Sequence, residues 1–214
     1  MRELAAQGWR LVVDARGAGA LEHASADLGD QVTAIPGDVA DVVHRRSLAH
    51  AVGRLGRLDL LVNNASVLGP SPQPTLDRYP LVEIERVYRV NAFAPLAVIQ
   101  ELLPHLTATS GSIVNITSDA AVEPHPGWGG YGSSKAALEQ LTAVLGAEQP
   151  GLRVYALDPG DLRTQLHQEA FPGEDISDRP EPETVVPAFL ALLESGLPSG
   201  RYRAADLLAH EEVA

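Results

Sequence analysis

The chain has 214 residues, a formal net charge of −12 at pH 7 and no cysteine. The acidic balance argues against nucleic acid as a partner, and the absence of cysteine excludes disulfides and thiolate metal sites. No apolar run approaches the roughly 20 residues of a membrane span, and the N-terminus lacks the apolar centre of a signal peptide. We therefore expect a single cytoplasmic domain over residues 1–214 with no membrane partner.

Apolar runs rich in Val, Leu and Ile alternate with stretches of helical periodicity. The chain opens on the end of a helix, residues 2–7, which Gly8 closes. The predicted strands cover residues 10–15, 31–35, 58–62, 112–117, 152–158 and 202–204. The predicted helices cover residues 20–28, 42–55, 81–106 (two helices, or one broken near Pro95), 131–146 and 185–195, and residues 167–183 form a mobile loop with a short helix. This alternation is typical of a parallel sheet covered by helices on both faces.

Polar residues and glycines follow the predicted strands. Ligands of such sheets bind beyond the carboxyl ends of the strands, so we expect the functional site there. The residues at those ends are Arg16, Asp38, Asn63, Asn64, Ser118, Asp158 and Gly160.

Tyr131 and Lys135 lie four residues apart in a predicted helix, so both side chains project from one face. Ser118 ends the strand before that helix. A phenol beside an ammonium, with a hydroxyl nearby, is the outline of a proton-transfer site. At about 4 Å and an effective dielectric of about 20, the ammonium would favour the phenolate by about 4 kcal/mol, or about three pKa units before desolvation is subtracted.

Taken together, these residues resemble the short-chain dehydrogenase/reductase family. Residues 63–66, Asn-Asn-Ala-Ser, are similar to its Asn-Asn-Ala-Gly element. Residues 159–164 are similar to the segment that closes over the nicotinamide, and residues 38–39 to the pair that touches the adenine ring. The resemblance covers nearly the whole chain and implies a three-layer, doubly wound α/β fold of the Rossmann type.

The resemblance also implies roles for individual residues. Tyr131 would be the general acid in carbonyl reduction and the base in alcohol oxidation, and Ser118 would bind the substrate oxygen. Lys135 would hold the nicotinamide ribose, and Asn91 would hold a water that links Lys135 to solvent. The implied catalytic residues are Asn91, Ser118, Tyr131 and Lys135. The implied cofactor contacts are Arg16, Asp38, Val39, Asn64, Ala65, Tyr131, Lys135, Pro159, Gly160, Leu162 and Thr164.

The end of the second strand bears on the choice of cofactor. A small residue, Ala15, followed by Arg16 suits a 2′-phosphate and favours NADP. A one-residue shift in the alignment would place Asp14 there instead and favour NAD, because a carboxylate binds the ribose 2′-hydroxyl. No histidine has metal-ligand spacing, so no metal site is predicted.

One family element is not found in this sequence. The family opens with a strand and a glycine-rich turn that binds the cofactor phosphates, whereas this chain starts at Met1 inside the helix that follows the turn. In the family that first strand lies in the middle of the sheet. We therefore expect a clipped sequence, with about 20–25 further N-terminal residues that include the turn. The alternative is a short protein that has lost tight cofactor binding.

The predicted function is hydride transfer between NAD(P)(H) and a small carbonyl or alcohol. One alternative is a catalytically silent member that works as a binding or scaffold subunit. Another is a sugar-nucleotide epimerase, for whose substrate domain the C-terminus leaves little room. The resemblance places the substrate against residues 119–128 and 167–183, without indicating its identity, and Trp128 either packs on it or fills the core. It also implies a homodimer or homotetramer, paired through helices near residues 93–105 and 131–146.

Overall fold

A computed structural model describes residues 1–211 of the chain, with side chains to residue 209. Its strands are β1 (Leu11–Ala15), β2 (Val32–Pro36), β3 (Leu60–Asn63), β4 (Ser112–Ile116), β5 (Arg153–Asp158) and β6 (Gly200–Arg203). Its helices are α1 (Arg2–Ala6), α2 (Ala18–Ser25), α3 (Val42–Leu55), α4 (Leu81–Tyr88), α5 (Ala94–Thr109), α6 (Gly129–Glu148), α7 (Gln165–Ala170), α8 (Val186–Glu194) and α9 (Ala204–Glu211). The α/β class predicted from the alternation is confirmed.

Every strand pair in the described range is parallel, but the strands form two sheets. β1 pairs with β2, and the second sheet has the order β3-β4-β5-β6. The two sheets are separate because no described segment lies between β1 and β3 to hydrogen-bond with both, which is where the family resemblance places a further strand.

Helices join the two sheets. Val52 of α3 packs with Val98 and Leu102 of α5 in one apolar cluster. Val12 of β1 and Leu61 of β3 both pack against that cluster. The two sheets are therefore held together by a helical layer that both of them contact.

The four-stranded sheet carries the main core. On one face, Val114 of β4 and Tyr155 of β5 pack against Leu192 of α8. On the other face, Ile113 of β4 packs against Leu106 of α5. Helices thus cover both faces of this sheet, and the predicted three-layer, doubly wound arrangement is confirmed for it.

The helical stretch predicted between residues 81 and 106 forms as α4 and α5. The two helices are joined by a π-helical turn, Arg89–Phe93, which lies just before Pro95, so the interruption predicted near Pro95 is confirmed. Pro95 lies in the first turn of α5. The π turn places Asn91 in the interior, where it is fully buried.

The ends of other helices follow local sequence signals, and the structure adds one helix that the sequence did not predict. The Asp41 carboxylate caps α3 by accepting from the Val43 N–H at 2.6 Å. Gly8 follows α1 with a φ of +86°, as expected of a residue that ends a helix. Helix α9, directly after β6, was not predicted. None of the helices in the described range is both long and apolar enough to cross a membrane.

Candidate active site

Tyr131 and Lys135 lie on the buried face of α6. Tyr131 is in the first turn of this helix, which starts two residues earlier than predicted, at Gly129. The two residues are 6% and 2% exposed, and the Lys135 ammonium lies 5.6 Å from the centroid of the Tyr131 ring. Gly132 lets α6 approach the loop after β4 closely, because a Cβ at this position would lie only 2.5 Å from the carbonyl oxygen of Ala120. The start of α6 therefore packs directly on the loop after β4.

The Lys135 ammonium is held by the end of β4. Its Nζ donates a hydrogen bond to the carbonyl oxygen of Ile116 at 2.8 Å. Burial lowers the pKa of Lys135 to about 8, because the charged form has lost its water. The Lys135 amine is thus mostly charged at pH 7, and its pKa lies about one unit above that pH. Lys135 is also the only lysine in the sequence, and this singles it out independently of its spacing from Tyr131.

The Tyr131 phenol is held in its neutral form. Burial raises the pKa of Tyr131 to about 12; the hydroxyls of Ser66 and Ser118 lower it, and the charge of Asp119 raises it further. Burial is the largest of these causes, and Lys135, which was expected to lower the pKa of Tyr131, is not among them. The phenol is a proton donor throughout the physiological pH range.

Ser118 stands beside that phenol at the end of β4, as predicted. Its Oγ donates to Asp119 Oδ1 at 2.8 Å and accepts from the Ala120 N–H at 3.2 Å. Asp119 Oδ1 also accepts from the same N–H at 2.7 Å, although the Asp119 side chain is 51% exposed. Asp119 is therefore both a loop residue open to solvent and a direct partner of the serine hydroxyl.

Asn91 joins three parts of the chain. Its side-chain Nδ2 donates to the carbonyl oxygen of Val67 at 2.9 Å and to Ser134 Oγ at 3.0 Å. Its Oδ1 accepts from the Val67 N–H at 2.9 Å. Asn91 therefore has a structural role in joining these segments, while its implied role in holding a water beside Lys135 stays a prediction.

Sequence reasoning missed Ser66. Its Oγ is buried without a hydrogen-bond partner among the described residues. It lies close enough to the Tyr131 phenol to lower the pKa of that group. The signal was present, because Ser66 stands where the family element has glycine. Two serine hydroxyls, rather than one, therefore face the phenol.

The implied cofactor contacts follow the strands at the carboxyl edge of both sheets. Asn63 is mainly structural, since its side chain donates to Asn115 Oδ1 at 2.8 Å. The implied contacts Arg16, Asp38, Asn64, Ala65 and Gly160 are exposed, whereas Val39, Pro159, Leu162 and Thr164 are partly buried. Gly160 has a φ of +76° and no atom within 4 Å of the place of a Cβ, so the turn after β5 is open on that side.

These residues fit the ribose and nicotinamide half of a dinucleotide. The fit rests on the Lys135 ammonium, the unpartnered Ser66 hydroxyl and the open turn at Gly160. On the adenosine side, Asp14 Oδ2 lies 3.2 Å from Nε2 of the buried His44 and is therefore engaged. Arg16 is exposed and makes no side-chain hydrogen bond or ion pair within the described residues.

Aromatic side chains flank the phenol. Trp128 meets the Tyr131 ring edge-on at 5.8 Å and the Phe171 ring at 6.0 Å. Trp128 also packs on the cluster of Leu68 and Ala120. Trp128 thus fills the core beside the Tyr131 phenol and forms a wall next to it. The loop predicted at residues 167–183 begins inside α7, and His167 of that helix is buried.

The structure brings together three side chains that sequence spacing did not connect. His125 Nε2 lies 3.6 Å from Asp119 Oδ2 and 3.9 Å from Glu123 Oε2. Potential ligand atoms of the three side chains lie within 4.8 Å of one another. All three are exposed, and surface groups of this kind commonly cluster without a metal. The absence of a metal site stays a prediction.

Residues 1–175 match the family model for short chain dehydrogenase. The chain therefore belongs to the short chain dehydrogenase family. Protein FixR of Bradyrhizobium diazoefficiens is 38% identical over 178 residues, which cover 74% of this chain and 60% of that protein. Sepiapterin reductase of Bos taurus is 31% identical over 173 residues, which cover 75% of this chain and 65% of that protein. The matches span 60–65% of the length of these curated relatives.

Solved structures agree with this assignment. An alcohol dehydrogenase from the archaeon Thermococcus sibiricus, complexed with 5-hydroxy-NADP, superposes with a TM-score of 0.81 at 25% identity. The match covers 94% of this chain and 88% of that structure. The fold of the described residues is thus the Rossmann-like fold of this family.

Proposed function

We propose that the protein is an oxidoreductase that transfers hydride between NAD(P)(H) and a small carbonyl or alcohol. One observation carries the proposal: a neutral, buried Tyr131 phenol lies with Ser118 and Lys135 at the carboxyl edge of the sheet. The relatives named as a reductase and as an alcohol dehydrogenase support the class of reaction.

We propose NADP as the preferred cofactor. Asp14, whose carboxylate would suit the ribose 2′-hydroxyl of NAD, is engaged by His44 at 3.2 Å. The exposed guanidinium of Arg16 suits a 2′-phosphate instead. The ligand of the Thermococcus sibiricus enzyme is a derivative of NADP, which supports this choice. Asp38 and Val39 would contact the adenine, Asn64 and Ala65 the middle of the dinucleotide, and Pro159, Gly160, Leu162 and Thr164 the nicotinamide.

When bound, the nicotinamide supplies the hydride. The Ser118 hydroxyl turns from Asp119 to donate to the substrate carbonyl oxygen, which stabilises the charge that develops there. The Tyr131 O–H gives its proton to that oxygen, so hydride and proton together make the alcohol. Lys135 stabilises the phenolate left on Tyr131. Asn91 would hold the water through which the proton is replaced.

The alternative, a catalytically silent scaffold, is not favoured. A scaffold would not need a desolvated lysine beside a desolvated phenol, since both groups lose hydration on burial. Titration with NADPH, followed by nicotinamide fluorescence, separates the two functions. Micromolar binding of NADPH, together with its oxidation by simple aldehydes or ketones, supports the enzyme. Failure of the folded protein to bind any dinucleotide supports the scaffold.

Tyr131→Phe tests the chemistry directly. We expect kcat to fall by about 10²- to 10⁴-fold, because the proton donor is removed, while NADPH binding is retained. Tyr88→Phe is the matched control, since the Tyr88 hydroxyl makes no hydrogen bond among the described residues. Equal activity of Tyr131→Phe and the wild type would contradict the proposed role.

We also propose self-association into a homodimer or homotetramer. Phe93 at the start of α5 is 59% exposed and Val144 on α6 is 43% exposed, which supports apolar contact between copies. Light scattering coupled to size exclusion measures the mass, and a monomer at micromolar concentration would contradict this part of the proposal.

A further inference from the structure

Arg201 on β6 reaches back over the carboxyl edge of the sheet. Its Nε donates to Glu139 Oε1 at 2.9 Å, and its Nη2 donates to Asp158 Oδ2 at 2.8 Å. The same Nη2 lies 3.5 Å from the carbonyl oxygen of Ser118. One guanidinium thus connects α6, the end of β5 and the end of β4.

Each acidic partner of Arg201 binds a second group of the site. Glu139, one helical turn after Lys135, also accepts from Thr117 Oγ1 at 2.6 Å. Asp158 accepts through its other oxygen from the Gly160 N–H at 3.0 Å. The network therefore holds the residue before Ser118 on one side and the turn after β5 on the other.

The network is partly withdrawn from water. The side chains of Arg201, Glu139 and Asp158 are 27%, 15% and 5% exposed. Charge-assisted hydrogen bonds in such surroundings are stronger and more directional than those at an open surface. The planar fork of arginine can serve two carboxylates at once, whereas a lysine ammonium is a single point of charge. The geometry therefore requires arginine rather than any cation.

We propose that Arg201 is a positioning residue for the reaction proposed above. It touches neither substrate nor reacting atoms, and it acts by fixing the Ser118 strand end and the Gly160 turn against the helix of Tyr131. The inference rests on the proposed function for its kinetic consequences, while its structural content is independent of that function. Correct placement matters, because an error of about 1 Å between reacting groups can cost about 100-fold in rate.

Two substitutions test the proposal kinetically. Arg201→Met removes the charge and the fork, and Arg201→Lys keeps the charge alone. We expect both to lower kcat/KM by about 10- to 100-fold and to raise the KM for NADPH, in folded protein judged by circular dichroism. Arg203→Met is the control, since Arg203 lies on the same strand, is exposed and makes no side-chain hydrogen bond among the described residues. Full activity of Arg201→Lys would show that a positive charge is sufficient, and would overturn the role of the two-carboxylate contact of the guanidinium.

A second measurement decides the matter whatever the activity. Crystal structures of the wild type and of Arg201→Met are compared at the Ser118 carbonyl and the Gly160 N–H. We expect both groups to move relative to Tyr131 by more than about 0.5 Å, the tolerance of a functional site. Unchanged positions would overturn the proposal. If the wild type proved inactive, the proposed function would fail, and this comparison would still test Arg201.

Discussion

Burial sets the state of both titrating groups in the site. It raises the pKa of Tyr131 to about 12 and lowers the pKa of Lys135 to about 8. In each case the neutral form is favoured, since a charge away from water costs free energy. The phenol is ready to give a proton, and the ammonium is strained electrostatically by its position. The role proposed for Lys135 therefore opposes stability, because the charged form is the one that burial disfavours.

Lys135→Met should stabilise the fold below pH 8. The pKa of Lys135 falls from 10.5 to about 8 on folding, a cost of about 3 kcal/mol while both states are protonated. The substitution also removes the hydrogen bond to Ile116, which destabilises the fold by about 1–2 kcal/mol. We therefore expect a net increase of about 1–2 kcal/mol in the free energy of unfolding at pH 6.5. Between pH 8 and 10.5 the folded wild type releases its proton first and gains stability, so the difference shrinks. Urea unfolding at pH 6.5, 8 and 10 measures this, and a pH-independent difference would contradict it.

At the scale of elements, the site depends on two unusual junctions. The π turn before α5 places Asn91 in the interior, where it satisfies both backbone groups of Val67. The first turn of α6 approaches Ala120 so closely that only glycine fits at residue 132. The first junction gives up regular α-helix geometry and the second gives up a side chain, and each brings together groups from different elements.

Gly132→Ala should move α6 away from the Ser118 loop. A Cβ there would meet a backbone oxygen at 2.5 Å, and we expect a loss of about 1–3 kcal/mol together with reduced kcat. Gly53→Ala in α3 is the control, because no atom lies within 4 Å of its Cβ position. There we expect a gain of up to about 1 kcal/mol from helix propensity. Urea unfolding of both variants measures the contrast, and destabilisation of equal size would argue against the packing explanation.

Local chemistry explains which features were predictable from the sequence. The Asp41 cap and the shared face of Tyr131 and Lys135 depend on neighbours within one or two turns. The pKa values depend on burial, which spacing does not report. Arg201 was missed because its partners are 43, 62 and 83 residues away in sequence. Pro95 indicated where the helical stretch is interrupted, but not that the interruption is a π turn, because that turn depends on the packing of Asn91 in the interior.

At the scale of the whole molecule, the two sheets differ in how well they are buried. Every residue of β1 is only partly buried, whereas four of the five residues of β4 are fully buried. The described part of β1 has a pairing strand on one side only, and β4 has one on each side. The two-stranded sheet is therefore the part with less apolar burial to resist opening.

Hydrogen exchange should reveal that difference. We expect amides of β1 and β2 to exchange at least about tenfold faster than those of β4 and β5, which corresponds to about 1.4 kcal/mol in opening free energy. Mass-spectrometric exchange at low urea concentrations measures both sets in one sample. Equal protection across the two sheets would mean that the helical layer couples them into a single cooperative unit.

The solitary lysine gives the molecule an uncommon surface chemistry. Within these 214 residues every other basic side chain with a permanent charge is arginine, and Lys135 is 2% exposed. Amine-reactive crosslinkers and acylating reagents therefore find almost no side-chain target on the folded protein. Labelling of Lys135 instead requires the site to open, so the rate of labelling measures how often the site opens. Lys135 is thus also a built-in reporter of access to the proposed active site.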